Sequence, residues 1–157
     1  MPAEITVIAD ISSYPIDLRD ITDSADVVLA QCGSDSYNLS VVLADDREIQ
    51  RLNRQYRHQD KPTNVLSFPF SDGADDVIAA LPVRELGDVV ISVETASREA
   101  LEYGQSLYYR MRWLLVHGIL HLMGYDHERS EDDEHEMFAK EKKLLKILEK
   151  KEERSDG

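Results

Sequence analysis

The sequence predicts an α+β fold in a single domain over residues 1–150. Short apolar segments rich in β-branched residues predict about four strands, and longer segments with apolar residues three and four positions apart predict about five helices. The length of 157 residues is usual for one globular unit. The predicted strands are residues 5–8, 38–43, 64–68 and 86–92. The predicted helices are residues 18–30, 93–103, 107–123 and 130–149, together with a helix that begins near residue 46 and ends before Pro62.

The elements of the first half are bounded by capping and turn residues. Within residues 18–30 the apolar side chains have helical spacing. Asp45 offers an N-cap for the second helix, and Pro62 ends that segment. Pro69 terminates the third strand, and an acidic, glycine-containing loop is expected at residues 71–81. The first half therefore reads as strand, helix, strand, helix and strand.

The second half contains the most apolar segments. Residues 86–92 are apolar enough for a strand buried on both faces, and Ser92 can cap the helix that follows. Residues 107–123 form the most apolar helix, which we expect at the centre of the fold. The last helix is expected to end near Glu149, before a disordered tail at residues 151–157. Its predicted buried face consists of Met137, Phe138, Leu144, Leu145 and Leu148.

Composition excludes several classes of protein. No apolar run approaches 18 residues, so no membrane-spanning helix is expected. The N-terminus lacks the basic start and apolar core of a signal peptide. Cys32 is the one cysteine, which rules out an internal disulfide framework. These observations predict a cytoplasmic protein without a membrane partner.

The charge is acidic overall but locally basic. A net charge of −13 ordinarily argues against a nucleic-acid partner. One segment is different, because it carries Arg47, Arg51, Arg54, Arg57 and Lys61. On a helix, the spacing of four and three places the first three arginines on one face. This basic stripe is either an RNA-binding surface or a solvated helix face.

Three histidines have the spacing of a catalytic metal site. His117 and His121 are four residues apart on the predicted central helix, so both side chains project from one face. Gly124 can end that helix, and the chain can then present His127. Three imidazoles with one open position are typical of catalytic zinc. The sequence therefore predicts one Zn²⁺ per chain, while His58 and His135 are expected to face solvent.

The residue after the first histidine separates this motif from the metzincin proteases. Those proteases have a glutamate there as the general base, whereas this chain has Gly118. Glycine can neither accept a proton from zinc-bound water nor pass one to a leaving amine. The metal ligands are therefore present without the base that peptide hydrolysis requires.

Four blocks of the sequence resemble the YbeY family of bacterial endoribonucleases. They are residues 52–57, 60–69, 86–92 and 117–127, and they occur in the family's order over nearly the whole chain. The resemblance implies a mixed sheet flanked by helices and a zinc-dependent enzyme that cuts single-stranded RNA. It also implies roles in rRNA maturation and ribosome quality control. The family's metal ligands correspond to His117, His121 and His127, and its functional arginine corresponds to Arg57.

The chemistry of these residues predicts a hydrolytic mechanism. Zinc lowers the pKa of bound water to about 7, which provides a nucleophile for attack on a phosphodiester. The planar guanidinium of Arg57 is suited to stabilising the phosphate charge, although a structural ion pair is the alternative. Lys61 and the arginine stripe would follow the RNA backbone. Asp126 could orient a metal ligand, act on the water or cap a turn, and Asp88 is expected to be structural.

Two other functions remain open at this point. A zinc peptidase would need another carboxylate in place of the missing glutamate, and zinc-dependent cleavage of casein but not of RNA would favour it. A non-enzymatic ribosome-binding factor would use zinc only to join a helix to a loop. RNA binding without cleavage under any metal condition would favour that factor. No DNA partner is expected.

Overall fold

A four-stranded mixed sheet runs through the part of the chain that the structure describes. The structure is a computed structural model, and it describes residues 3–33, 37–70, 84–125 and 130–156. The strands are β1 (Ala3–Val7), β2 (Tyr37–Ala44), β3 (Val65–Pro69) and β4 (Arg84–Ser92), in the spatial order β1-β2-β4-β3. β1, β2 and β4 are parallel, and β3 is antiparallel to β4 at the edge. The predicted mixed sheet is confirmed.

Five helices accompany this sheet within the described residues. They are α1 (Leu18–Gln31), α2 (Asp46–Arg57), α3 (Val93–Glu102), α4 (Leu107–Leu122) and α5 (Glu131–Asp156). The side chains of Asp17, Asp45, Ser92 and Ser106 accept hydrogen bonds from the first turns of α1 to α4. Because such caps act locally, the predicted starts of these helices agree closely with the structure. In contrast, α5 continues to Asp156, where the sequence predicted a disordered tail from residue 151.

The two faces of the sheet are covered differently. The larger core packs α1, α4 and α5 against one face and includes Val89 and Ile91. Val90 points to the opposite face, where it packs with Ile49 of α2 and Leu66 of β3. β4 is thus buried on both faces, as predicted. As expected for the most apolar helix, α4 is central, with Leu114, Leu115, Val116, Ile119 and Leu120 all at most 1% exposed.

A close approach between α4 and the sheet occurs at Gly118. A Cβ atom at this position would lie 2.6 Å from Cγ1 of Val89 and 3.2 Å from Cγ2 of Val65. The hydroxyl of Ser67 in β3 donates a hydrogen bond to the Gly118 carbonyl at 2.8 Å. Glycine therefore allows α4 to lie directly on β3 and β4. This contact sets the position of the neighbouring histidine.

One sequence-based expectation is wrong, and another falls on residues that the structure does not describe. Phe138 was assigned to the buried face of the last helix, but its side chain is 53% exposed. The acidic loop at residues 71–81 lies outside the described residues. Across the described ranges, the structure contains no helix with the length and apolar character needed to cross a membrane.

Candidate metal centre

His117 and His121 lie side by side on α4, as the helical spacing predicted. Their Nε2 atoms are 3.0 Å apart, and the ring centroids are separated by 4.6 Å. Both side chains are partly buried. The third predicted ligand, His127, lies outside the described residues, as does Asp126. Over the described ranges, no group of three or more histidine, cysteine or carboxylate side chains gathers around a common point.

The two imidazoles fit a zinc ion as part of a larger ligand set. Zinc binds imidazole nitrogen at about 2.0–2.1 Å with tetrahedral geometry. Two such nitrogens lie roughly 3.3 Å apart, by the geometry of that coordination. The observed separation of 3.0 Å between the Nε2 atoms requires only a small adjustment. The donor type and the spacing therefore suit zinc.

His117 is fixed by contacts on two further sides. Its Nδ1 atom lies 2.8 Å from Oε1 of Glu141 in α5, whose side chain is 5% exposed. A carboxylate oxygen is an acceptor for a ring N–H, so this contact favours the tautomer of His117 that carries its proton on Nδ1. The indole of Trp113 stacks on the His117 ring at 5.0 Å, with an angle of 11° between the planes. The ring therefore has a defined orientation as well as a defined position.

A buried cation holds Trp113 in place. The guanidinium of Arg110 lies 4.3 Å from the centre of the Trp113 ring and 4.9 Å from that of Tyr103. Arg110 also donates two hydrogen bonds to Oε1 of Glu99, at 3.0 and 3.1 Å. Glu99 in turn accepts hydrogen bonds from Asn64, at the start of β3. The support of His117 thus extends from α4 through α3 to the edge of the sheet.

Arg57 reaches the same strand from the other face of the sheet. It is the last residue of α2, and its guanidinium donates to the backbone carbonyl of Ser67. It also lies 5.2 Å from the centre of the Phe68 ring. Because the Ser67 hydroxyl contacts Gly118, one residue joins Arg57 to the helix that carries the histidines. Arg57 is exposed, so most of its donors face the surface.

The remaining arginines of α2 share one face, as predicted. Arg47, Arg51 and Arg54 line a surface cavity of about 440 Å³ together with Gln50 and two acidic residues, Glu48 and Asp60. Arg51 forms an exposed ion pair with Glu48 at 3.2 Å. Lys61 is exposed, and its carbonyl accepts a hydrogen bond from Asn53 at 2.9 Å. The stripe is therefore real, but its charge is partly compensated.

The other titratable candidates lie apart from the histidine pair. His58 and His135 are exposed, as expected. Asp88 is on the face of β4 that points away from α4. Partial burial raises the pKa of Asp88, a hydrogen bond with Ser40 opposes this, and the charge of Glu85 adds to it. These observations favour the structural interpretation of Asp88.

Sequence reasoning missed Glu141, Trp113 and Ser67 as residues around the histidines. One signal for Glu141 was present, since it lies four residues after Met137 and seven before Leu148 on the apolar face of α5. A carboxylate at such a position needs a buried partner. Trp113 also lies four residues before His117 on the same helix. Ser67 had no comparable signal, because its contact depends on how α4 packs on β3.

Comparison with known proteins identifies the class to which this fold and site belong. A family model described as Endoribonuclease YbeY matches residues 9–149. The chain is 46% identical over 138 residues to the Endoribonuclease YbeY of Geobacter metallireducens, covering 87% of this chain and 90% of the relative. It is 44% identical over 126 residues to that of Aquifex aeolicus, covering 80% of each. The solution structure of TM1509 from Thermotoga maritima matches with a TM-score of 0.65 and 28% identity, covering 98% of this chain and 93% of that one.

The family match over residues 9–149 includes β2, β3, β4 and the histidine pair. The chain belongs to the Endoribonuclease YbeY family. The resemblance inferred from four sequence blocks is thereby confirmed.

Proposed function

We propose that this chain is a zinc-dependent endoribonuclease that cuts single-stranded RNA and takes part in rRNA maturation and ribosome quality control. One zinc ion per chain is bound by His117, His121 and His127. The observation that carries the proposal is the convergence of two imidazoles on α4, next to a strand that also holds Arg57, in a chain of an endoribonuclease family. A cytoplasmic location and contacts with the ribosome belong to the same proposal.

The side chains around the metal centre have separate tasks. Zinc supplies a Lewis acid and a water molecule of lowered pKa when it is bound. His117 and His121 contribute their Nε2 atoms. Arg57 uses one of its five N–H donors on Ser67, so the others can bind the phosphate oxygens on which charge develops. His117 is thus a catalytic residue through the metal, and Arg57 acts through the phosphate.

The surface next to Arg57 supports a single-stranded substrate. Tyr56 is 56% exposed and packs edge-to-face on Phe68 at 5.4 Å, and Phe70 is 47% exposed. Unpaired bases stack on such aromatic side chains, whereas paired bases in a duplex are already stacked. The arginine stripe of α2 lies on the same helix as Tyr56 and Arg57 and can follow the phosphate backbone. RNA would therefore bind at a local basic surface of an acidic protein.

Gly118 disfavours the peptidase alternative. The metzincin glutamate would have to occupy this position, where even a Cβ atom would lie 2.6 Å from Val89. The general base of that mechanism is therefore both missing and sterically excluded. The ribosome-binding factor remains a possible outcome of the test below.

The proposal is tested by metal analysis together with cleavage of a labelled RNA, supplied single-stranded or as a duplex. We expect about one zinc per chain and cleavage of the single strand that stops with a chelator and returns with zinc. His121→Ala should lose both metal and cleavage, because two remaining imidazoles leave a catalytic site incomplete. His135→Ala, which changes an exposed histidine of α5, should retain both.

Three results would contradict this proposal. Full cleavage after metal removal would exclude the zinc mechanism. Products that end in a 2′,3′-cyclic phosphate would exclude attack by water. Zinc binding and RNA binding without any cleavage would identify the chain as a non-enzymatic factor.

A further inference from the structure

We infer that Glu141 is a positioning residue that selects the metal-binding form of His117. Its carboxylate accepts the Nδ1 proton of the imidazole, so the lone pair remains on Nε2, the atom that faces His121. The inference rests on the proposed metal centre, because it assigns Glu141 a role in preparing one of its ligands. Glu141 itself is not a ligand in this assignment.

The surroundings of Glu141 indicate that it has a specific partner. Its side chain is 5% exposed and lies on the apolar face of α5, between Met137 and Leu144. Burial of a carboxylate in such a place is costly unless it is paired and hydrogen-bonded. Across the described residues, the contact with His117 at 2.8 Å is its one ion pair or side-chain hydrogen bond. A leucine would suit the core better, so the carboxylate is best explained by its action on the histidine.

The orientation of the ring makes this hydrogen bond decisive. Trp113 stacks on His117 and defines the plane of the imidazole, but stacking alone does not distinguish one edge of the ring from the other. A half-turn about the Cβ–Cγ bond keeps this plane, but it exchanges the positions of Nδ1 and Cδ2 and those of Nε2 and Cε1. The carboxylate therefore favours the orientation in which Nε2 rather than Cε1 faces His121, and it favours the tautomer with the proton on Nδ1.

Such a contact also acts on the strength of the metal bond. A carboxylate that accepts the second ring proton of a ligand histidine fixes its tautomer and raises its basicity. Loss of a partner of this kind typically lowers metal affinity by about 10–100-fold. The effect of Glu141 should therefore be measurable as zinc affinity, independently of RNA cleavage.

The experiment compares two substitutions with a matched control. Glu141→Leu fills the space without an acceptor, and Glu141→Gln keeps an acceptor without the charge. Glu149→Leu makes the same chemical change as Glu141→Leu at an exposed position of α5. Zinc affinity is measured by competition with a chromophoric chelator, and the tautomer of His117 in the metal-free protein is measured by ¹⁵N NMR.

We expect Glu141→Leu to bind zinc about 10–100-fold more weakly and to lose the exclusive Nδ1–H tautomer. Glu141→Gln should show a smaller loss, because a neutral amide is a weaker acceptor than a carboxylate. Glu149→Leu should match the wild type in both measurements. If the leucine variant fails to fold, the glutamine variant decides by its zinc affinity.

Wild-type zinc affinity in the Glu141 variants would overturn the inference, as would an unchanged tautomer in Glu141→Leu. Failure of the proposed metal centre is distinguishable, because the wild type would then bind no zinc. The tautomer of His117 in the metal-free protein would still show whether Glu141 selects it.

Discussion

Arg57 contacts strand β3 and, in the proposed function, also binds the phosphate of the substrate. Its structural contacts are the Ser67 carbonyl and the Phe68 ring, and both lie at the surface. Because exposed contacts of this kind contribute little to stability, Arg57→Ala should keep the fold. It should also keep zinc but lower the cleavage rate by about 10²–10³, as expected for loss of one transition-state donor. Single-turnover cleavage and metal content measure the two effects.

Two further variants make the test of Arg57 specific. Arg57→Lys should recover only part of the activity, since a point charge lacks the planar pair of donors. Arg19→Ala removes an exposed arginine of α1 and should cleave at the wild-type rate. Unfolding of Arg57→Ala, or cleavage at the wild-type rate, would show that Arg57 is a structural residue.

Asp88 provides a pH-dependent prediction at the level of one carboxyl group. Partial burial raises its pKa above 3.8, against the hydrogen bond with Ser40 and together with the charge of Glu85. The folded state therefore binds a proton at Asp88 more tightly than the unfolded state does. The resulting contribution to folding stability is present at low pH and is lost as pH rises through the folded pKa. Asp88→Asn should raise the unfolding temperature near neutral pH and have little effect well below pH 3.8.

Asp10 serves as a control of opposite sign. Hydrogen bonds from the side chain and backbone of Ser12 lower the pKa of Asp10. The contribution of ionised Asp10 to folding stability is present above pH 3.8 and is lost as pH falls through the folded pKa. Asp10→Asn should therefore lower the unfolding temperature near neutral pH. Lower stability of Asp88→Asn under the same conditions would contradict the assignment.

Residues of the candidate site could be predicted from the sequence where they lie close together along the chain. His117 and His121 converge because helix geometry brings positions four apart together. Glu141 is 24 residues from its partner, and only the packing of α5 on α4 brings the two side chains into contact. Ser67 likewise reaches Gly118 across 51 residues. His127 stays a prediction, since it lies outside the described ranges.

At the scale of elements, the contact between α4 and the sheet depends on the absence of a side chain at residue 118. Gly118→Ala would normally favour a helix by up to about 1 kcal/mol. Here the added Cβ atom would meet the buried side chain of Val89 at 2.6 Å, so α4 or β4 must shift. We expect a net loss of about 1–3 kcal/mol, which is typical of overpacking. Chemical denaturation measures this change.

A helical position without such a contact calibrates the measurement. Ala139 is exposed on α5, so Ala139→Gly reports helix propensity alone and should cost about 0.5–1 kcal/mol. An increase in stability for Gly118→Ala would mean that α4 and the sheet can separate at little cost.

The predictability of the elements follows the range of the forces involved. Caps such as Asp45 and Ser92 act within one turn, and they gave the starts of α2 and α3 correctly. The strand order β1-β2-β4-β3 depends on long-range pairing and could not be derived from periodicity. α5 ends at Asp156, later than the expected end near Glu149, which was inferred from the polarity of the last residues. Lys151, Glu152, Glu153 and Arg154 are residue types that also favour a helix.

At the scale of the whole molecule, zinc should be linked to folding stability. A ligand that binds only the folded state stabilises it by about 2.7 kcal/mol when its concentration is 100 times its dissociation constant. Added zinc should therefore raise the unfolding temperature of the wild type. His121→Ala should show no such increase, and its metal-free form should unfold near the metal-free wild type. An equal increase in both proteins would place the zinc elsewhere.

The contact between Arg57 and Ser67 has a consequence for association between copies of the chain. Within the described residues β3 is an outer strand, and Phe70 and Asn64 form the backbone bonds to β4 at its two ends. By alternation, the peptide groups of Val65, Ser67 and Pro69 point outward, where an unprotected strand can pair with another molecule. Pro69 has no N–H to offer, and Arg57 occupies the Ser67 carbonyl. Arg57, which we propose binds the substrate phosphate, therefore also shields a sheet edge from intermolecular pairing. Replacing Arg57 by alanine would favour aggregation.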